Sequence, residues 1–134
     1  MSVILRKVIV GAELALVTVV RDGVCPFEET IRNVRVSNPG SVLKLLATLE
    51  IAAMHGLDAL HEKQLKALGG GLYEFKEHSA GIRVFGHYDR HRRKCIILHH
   101  TWIKAGKVRQ QDRAIKKARQ EMDALKQLGL LPLE

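Results

Sequence analysis

Three short β-prone segments follow one another closely in the second half of the chain, and they constrain the fold most. They cover residues 72–78, 82–88 and 94–102, which are rich in the β-branched and aromatic residues that favour strands. Links this short join antiparallel neighbours, because a parallel pair needs a crossover of roughly a dozen residues or more. The sequence therefore predicts an antiparallel sheet built around these three strands.

The segments before this group predict one further strand and two helices. A β-branched run at 13–21 predicts a strand that ends at the turn residues Asp22-Gly23. Pro26 and Asn38-Pro39 are typical helix starts, and the apolar spacing after each one predicts a helix.

A last helix is predicted at 108–128 from its apolar stripe. Residues 3–10 are β-prone and fit either an extra strand or a loose arm within residues 1–12. Residues 57–68 are predicted to form a loop with a short helical turn, and the three glycines at 69–71 a flexible break. The predicted order is β-α-α-β-β-β-α, an α+β fold.

The length limits the number of domains, and the charge limits the kinds of binding partner. The 134 residues suit one domain, and the apolar share of 46% is enough for a core. Residues 1–78 have no net charge, so the whole surplus of +8 lies in residues 79–134. A basic segment of this kind is either a solvated face or a surface for an anionic partner, which composition leaves open between nucleic acid, a membrane surface and an acidic protein.

The first of the late hairpins places two cations side by side. If the turn is centred on residues 79–80, antiparallel pairing sets Lys76 opposite Arg83 and Phe75 opposite Val84. Two neighbouring cations repel each other unless an anion or an acid lies between them, and Glu74 is the nearest candidate acid. This face is therefore either an ordinary exposed polar surface or a phosphate-binding one.

The second hairpin has a turn of five consecutive ionisable residues at 89–93, typical of an exposed tip. Its length leaves the register open by one residue, so either His99 or His100 is expected to share a face with Arg83, but not both. Neighbouring strand residues point to opposite faces, so the two histidines are a poor metal-chelating pair and no metal is expected.

The remaining features point to a cytosolic protein. Cys25 and Cys95 form no CxxC motif and are predicted to be buried thiols in a reducing compartment. The apolar run at 8–20 is interrupted by Glu13 and is more typical of a strand than of a signal peptide. No stretch approaches the ~20 apolar residues of a membrane span.

Five local strings, taken in order, resemble the HigB-type, phage-derived branch of the RelE toxin superfamily. Residues 70–76 (GGLYEFK) resemble its GGLYELR strand, and residues 81–85 (GIRVF) resemble its G-x-x-Y-R-V-F/Y strand. Residues 96–104 (IILHHTWIK) resemble its LLHGFxKK strand, and 112–125 its E-I-x-x-A-x-x-R final helix. Residues 26–29 match the start of its first helix. The resemblance runs from about residue 13 to 127.

The resemblance implies a RelE-like domain spanning residues 1–134, with an antiparallel sheet, helices on one side and a basic concave face on the other. It implies the toxin of a toxin–antitoxin pair that cleaves messenger RNA on the ribosome. In such cleavage the 2′-hydroxyl attacks the adjacent phosphate without a metal or other cofactor. The partners would be ribosome-bound mRNA and a small helix-turn-helix antitoxin, with no membrane.

Residue roles are carried over position by position. Arg83 takes the place of the arginine that holds the scissile phosphate, and Lys76 that of a basic group that positions or activates the nucleophile. Lys104 takes the basic position after the last strand, and His99 or His100 is a candidate general acid or base. The candidate nucleic-acid contacts are Arg90, Arg92, Arg93, Lys107, Arg109 and Arg113.

Two alternatives stay open beside the endonuclease. Relatives often have an arginine at the position of Lys76 and a second lysine at the position of Ala105. These departures favour a non-catalytic phage-type regulator of the same fold that binds RNA or DNA. A further hypothesis is that the basic half mainly docks an acidic antitoxin. The oligomeric state is not predicted.

Overall fold

A six-stranded sheet forms the centre of the protein in a computed structural model that describes residues 2–106 and 108–134. The strands are β1 (Val3–Val10), β2 (Ala15–Arg21), β3 (Leu65–Gly69), β4 (Leu72–Lys76), β5 (Ile82–Tyr88) and β6 (Cys95–Ile103). Their order across the sheet is β1-β2-β6-β5-β4-β3. All neighbours are antiparallel except β2 and β6, which are parallel. The antiparallel pairing predicted for the three late strands is confirmed. The antiparallel sheet that the resemblance implies differs from the structure at the β2–β6 pair.

Three α-helices complete the fold: α1 (Pro26–Ser37), α2 (Pro39–His55) and α3 (Val108–Leu128). The predicted helix starts at Pro26 and Asn38-Pro39 are confirmed. The Asn38 side chain caps α2 by accepting a hydrogen bond of 3.2 Å from the Ser41 backbone N–H. None of the helices in the described ranges is long and apolar enough to cross a membrane.

The helices cover both faces of the sheet. α1 and α2 pack on the face that presents Leu16 and Ile96, whereas α3 packs on the face that presents Val17, Ile97 and Phe85. The alternation of neighbouring strand residues between faces explains this division of the core. The two early helices share one side, as the resemblance implies, but α3 lies on the opposite side, so the expectation that all helices lie on one side is wrong.

Two segments that the sequence left undecided or assigned to a loop are strands. Residues 3–10 form β1, which pairs with β2 and settles the choice between strand and arm. Residues 65–69 form β3 at the sheet edge, where exposure of its side chains left little apolar alternation to detect.

The three glycines at 69–71 make the tight turn from β3 to β4. All three have positive φ, which glycine adopts at little steric cost. The Arg119 guanidinium of α3 donates to the Gly69 carbonyl at 2.9 Å, so this turn also anchors the last helix. The predicted flexible break is thus a fixed hairpin turn.

Candidate functional site

The β4–β5 hairpin pairs as predicted and gathers three of the candidate residues at one end of the sheet. Lys76 lies opposite Arg83, and Phe75 lies opposite Val84. The Lys104 backbone N–H donates to the Gly81 carbonyl at 2.8 Å, which places the exit of β6 beside the hairpin turn.

Arg83 is buried and its charge is already opposed inside the protein. Its Nε lies 3.8 Å from Oε2 of Glu74, and the two side chains are only 5% and 1% exposed. Its Nη1 donates to the backbone carbonyls of Glu77 at 2.6 Å and Ile82 at 3.1 Å. Glu74 is therefore the acid that was expected near the two cations. Because Arg83 is buried beside this carboxylate, its guanidinium is poorly accessible to a phosphate.

A second buried carboxylate organises the turn of this hairpin. Glu77 accepts hydrogen bonds from the backbone N–H groups of Ser79, Ala80 and Ile82, at 2.5, 3.0 and 3.5 Å. These bonds satisfy donors that the tight turn would otherwise leave unpaired. Glu77 is therefore a structural residue that holds Lys76 and Arg83 in register.

Lys76 is half-buried, and its surroundings disfavour its charged form. Burial lowers the pKa of the Lys76 ammonium; Glu74 partly opposes the shift, and the cation of Arg83 adds to it. Its side chain lines a groove beside α2 rather than the core of the α3 face.

A β-bulge in β6 turns both central histidines toward α3. Phe85 pairs with His100 and Gly86 pairs with Leu98, so His99 is the extra residue. His99 Nε2 lies 2.9 Å from the Ala118 carbonyl, and His100 Nδ1 lies 3.2 Å from Oε2 of Glu121; both partners belong to α3. The prediction that only one of the two histidines shares this face is therefore wrong, because regular alternation does not hold across a bulge.

His99 is half-buried, and both its ring nitrogens have hydrogen-bond partners. Its Nε2–H donates to the Ala118 carbonyl, so in the neutral ring its Nδ1 accepts from Nδ1 of His87, 2.9 Å away. Burial lowers the pKa of His99 to about 4 and that of His87 to about 3, to which the neighbouring His99 also contributes. The pair is neutral near pH 7 and acts as part of the packing under α3.

His100 has a different environment. Its ring packs against Phe85, with ring centroids 5.7 Å apart, and its Nδ1 lies 3.2 Å from Oε2 of Glu121. Burial alone would raise the pKa of Glu121, but the hydrogen bond and charge of His100, with smaller contributions from His99 and Lys117, hold it below its usual value. The Nε2 of His100 makes no hydrogen bond to any described residue, so it is available to a ligand.

Two cavities meet at His100. One, of about 450 Å³, lies between the end of β6 and the first half of α3 and includes Trp102 and Arg113. The other, of about 270 Å³, opens where β2 and β6 stop pairing, and includes Arg21 and Glu121. His100 and Lys117 line both cavities. We call this continuous surface the β6–α3 groove; it combines an aromatic ring, exposed cations and a histidine–carboxylate pair.

The other predicted contacts are divided between two ends of the molecule. Arg109 and Arg113 are exposed on the first turns of α3, and Lys107 lies outside the described residues. At the β5–β6 tip, Arg90 and Arg93 are exposed, but Arg92 donates to Asp89 at 3.1 Å and to the Leu131 carbonyl at 2.6 Å. β5 has seven residues, so this tip lies about 20 Å from Arg83 and does not join the same site.

The predicted site residues do not all meet in one place. Lys76, Arg83 and Lys104 lie at one end of the sheet, where Arg83 pairs with Trp102 of the β6–α3 groove. His100 pairs with Phe85, two residues further along β5, and His99 is half-buried beneath α3. No three His, Cys, Asp or Glu side chains within residues 2–106 and 108–134 are close enough together to hold a metal ion.

The sequence did not identify three residues of the groove as site residues. Glu121, Lys117 and Trp102 gave no motif of their own, because the three side chains form one surface only when α3 is docked against β6. The helical spacing of Arg113 and Lys117 was the one available signal, since residues four apart lie on the same helix face.

The family model of phage-derived Gp49-like proteins (DUF891) matches residues 38–123, from the start of α2 to most of α3. The match covers more than half of the chain and includes the hairpin, both histidines and most of the groove. The chain belongs to this family. The Gp49-like family is a RelE-related, toxin-like family associated with toxin–antitoxin systems, in agreement with the coarse resemblance. The narrower HigB-type assignment stays a prediction. No curated protein matches the chain significantly.

Proposed function

We propose that this Gp49-like protein is the toxin of a type II toxin–antitoxin pair and cleaves messenger RNA on the ribosome. The observation that carries the proposal is the β6–α3 groove, where Arg113 and Lys117 adjoin Trp102 and His100. Membership of a toxin-like family supports the same conclusion. That activity would be cytoplasmic, with ribosome-bound mRNA and a cognate helix-turn-helix antitoxin as partners.

The groove has the two features that bind a single strand without strict sequence preference. Exposed cations attract phosphates, and an aromatic ring offers a stacking surface to a base. Trp102 is half-buried against α3, so its ring is held in place for such stacking. Base–aromatic stacking contributes roughly 1–3 kcal/mol for each base.

His100 is the residue best placed for proton transfer. The 2′-oxygen attacks the adjacent phosphorus, the bond from phosphorus to the 5′-oxygen breaks, and a 2′,3′-cyclic phosphate remains, while the 5′-oxygen takes a proton from water and leaves as a hydroxyl. The base that takes the 2′-hydroxyl proton needs a free lone pair, which Nε2 of His100 has and the fully bonded His99 lacks. Arg113 and Lys117 would stabilise the charge that develops on the phosphate.

Glu121 acts as a positioning residue for this histidine. By accepting the Nδ1–H of His100 it selects the tautomer whose Nε2 is the base, and its negative charge stabilises the imidazolium that forms. Lys76 and Lys104 lie at the adjoining end of the sheet and are proposed to contribute cations to the bound strand. Arg83 contributes through its pairing with Glu74 and the hairpin backbone.

The exposed arginines outside the groove are proposed to contact the ribosome or the RNA backbone. Arg90 and Arg93 lie at the β5–β6 tip and Arg109 on the first turn of α3. Arg92 supports that tip through its contacts with Asp89 and Leu131. Lys107 keeps the contact role that the resemblance implies.

A non-catalytic RNA- or DNA-binding regulator is the second candidate. The burial of Arg83 favours it, because the residue expected to hold the scissile phosphate is occupied by Glu74. Such a regulator would bind single strands through the same groove, with strong salt dependence and no cleavage products.

Inducible expression in a bacterium, with mapping of new mRNA 5′ ends, separates the two candidates. We expect growth arrest and cleavage by the wild-type chain. His100→Gln should reduce the cleavage rate by about 10²–10⁴-fold, the usual contribution of a general base. His55→Gln, at an exposed position on α2, is the matched control and should stay toxic.

Glu121→Gln tests the positioning role. It should lower kcat more than it raises KM and should change the pH profile of cleavage. Soluble wild-type protein that causes neither arrest nor new 5′ ends would overturn the endonuclease. Equal toxicity of His100→Gln and the wild type would overturn the role of His100.

A further inference from the structure

Four exposed apolar side chains run along the outward face of α2, which also carries the exposed Glu50. Leu43 is 69% exposed, and Ala47, Ile51 and Met54 follow it at spacings of three or four residues. The opposite face of α2 already contributes Val42, Leu45 and Leu49 to the core. A surface helix normally carries mainly polar residues on its outer face, so this row of exposed apolar side chains indicates a second packing partner.

A basic groove runs beside this apolar stripe. It has a volume of about 390 Å³ and lies between α2, the loop before β3 and the β4–β5 turn. Its cations are Lys44, Lys63 and Lys76. The one acidic residue in its lining, Glu77, is buried, and its carboxylate is taken up by the backbone N–H groups of the turn.

We propose that the α2 stripe and this groove together bind an amphipathic, acidic helix of a partner protein. The partner's apolar residues would pack on Leu43, Ala47 and Ile51, as a helix does in a hydrophobic groove. Its carboxylates would lie against Lys44, Lys63 and Lys76. An anion beside Lys76 would also relieve the repulsion between this ammonium and Arg83.

The chemistry of the surface favours an acidic protein helix over two other possible occupants, which are RNA and a second copy of the chain. RNA would gain little from it, because the stripe is aliphatic and offers no aromatic ring for a base. A second copy of the chain docking through the same face would bring the lysines of both copies into one contact. Like charges gathered in this way cost affinity, so a two-fold contact of this patch with itself is disfavoured.

The surface is separate from the β6–α3 groove but shares Lys76 with the proposed RNA path. Identifying the partner as the antitoxin rests on the proposed function; the binding chemistry does not. If both hold, the partner helix inhibits by covering Lys76 from one side while leaving Trp102 exposed.

An NMR titration of the full ¹⁵N-labelled chain tests the proposal. The probe is a synthetic 16-residue helical peptide with a leucine stripe at spacings of three and four and glutamates on both flanks. A second peptide has the same stripe and lysines on the flanks. We expect the acidic peptide to shift the backbone resonances of residues 43–54 and 63, and the basic peptide to bind at least tenfold more weakly.

Two variants and a control locate the contact. Leu43→Lys and Lys63→Glu change exposed side chains and should each weaken binding of the acidic peptide by tenfold or more. Leu130→Lys changes an equally exposed leucine at the other end of the chain and should bind the peptide as the wild type does.

Three results would overturn the proposal. These are no shift in α2 at millimolar peptide, equal binding of both peptides, or a chain dimer that Leu43→Lys dissociates. The readout uses no RNA cleavage, so a chain that binds the peptide but leaves RNA intact contradicts the proposed function and supports the docking surface.

Discussion

The protein has two basic regions on the α3 side of its sheet, and they use their charge differently. In the β4–β5 hairpin, Arg83 is buried against Glu74 and donates to two backbone carbonyls. In the β6–α3 groove, Arg113 and Lys117 are exposed and line open space beside Trp102. The cation of the first region holds strands together, whereas the cations of the second stay available for an anion.

This difference shows why charge alone does not locate a binding site. Burying an ion pair costs solvation free energy, and the attraction between the two charges only partly returns it. Removing one partner costs more still, because the other charge is then buried without a counter-charge. Exposed cations bear no such cost and can exchange water for phosphate. A basic residue in a strand and one on a helix face therefore differ in function for reasons that lie in their neighbours.

Removing Arg83 should have the largest effect. Arg83→Ala leaves Glu74 buried without a counter-charge and deletes two hydrogen bonds, so we expect a loss of about 3–5 kcal/mol in the free energy of unfolding. Urea unfolding followed by circular dichroism measures it. Arg113→Ala, which removes an exposed cation, is the matched control and should change the stability by less than about 0.5 kcal/mol.

A double variant sharpens this result. Arg83→Met combined with Glu74→Leu replaces the pair by apolar groups of similar size and should recover most of the lost stability. A double variant that stays as unstable as Arg83→Ala would show that the pair is not the cause.

The pair of the buried His87 and the half-buried His99 should make stability fall in acid. Both histidines have lowered pKa values in the folded state, about 3 and about 4, so the unfolded chain takes up protons first as the pH drops below about 6.5. The contribution of the neutral histidines to the free energy of unfolding is fully present above the pKa that they have in the unfolded chain. It declines below that pKa, by up to about 1.4 kcal/mol per pH unit for each histidine.

Unfolding measured between pH 7.5 and 4.5 checks this slope. The double variant His87→Gln, His99→Gln should flatten it, while the exposed His55→Gln should leave it unchanged. A wild-type curve that rises toward acid would contradict the buried, neutral pair.

Reversing the charges of the groove should weaken RNA binding without harming the fold. Arg113→Glu with Lys117→Glu removes two cations that would pair with phosphates, and each such pairing on a single strand accounts for about 0.7 of the salt slope of log K. Fluorescence anisotropy of a labelled oligonucleotide over a salt series measures the slope. An unchanged salt slope would show that RNA does not bind to this face of α3.

The hairpin tip should matter least. Arg90→Ala with Arg93→Ala removes exposed charges about 20 Å from the far end of β5, so we expect less than a fivefold loss of affinity for a short oligonucleotide. A loss as large as that of the groove variant would show that the tip belongs to the main binding surface.

Local patterns in the sequence were enough for the helix starts and for the β4–β5 pairing. Pro26, Asn38 and the Lys76–Arg83 register follow from turn chemistry and short links, which act over a few residues. The parallel contact of β2 with β6 depends on packing between segments far apart in the chain, and no local signal reports it.

The candidate site also depends on contacts between segments that are distant in the chain, which local patterns do not predict. A single extra residue at the bulge placed both His99 and His100 under α3, and that one-residue change decided which histidine meets Glu121. The sequence identified the histidines and Arg113 as candidates. It offered no sign of Glu121, because a carboxylate on a charged helix is ordinary until its partner across the sheet is known.

Trp102 offers the most direct test of the central claim that single-stranded RNA binds in the β6–α3 groove. It is the one tryptophan in the chain, so its fluorescence reports the groove and the neighbouring Arg83 position. We expect a short single-stranded RNA to quench it, the Arg113→Glu, Lys117→Glu variant to lose the quenching, and the Arg83→Met, Glu74→Leu variant to keep it. RNA that binds by anisotropy but leaves Trp102 emission unchanged, or quenching lost only in the hairpin variant, would contradict the claim.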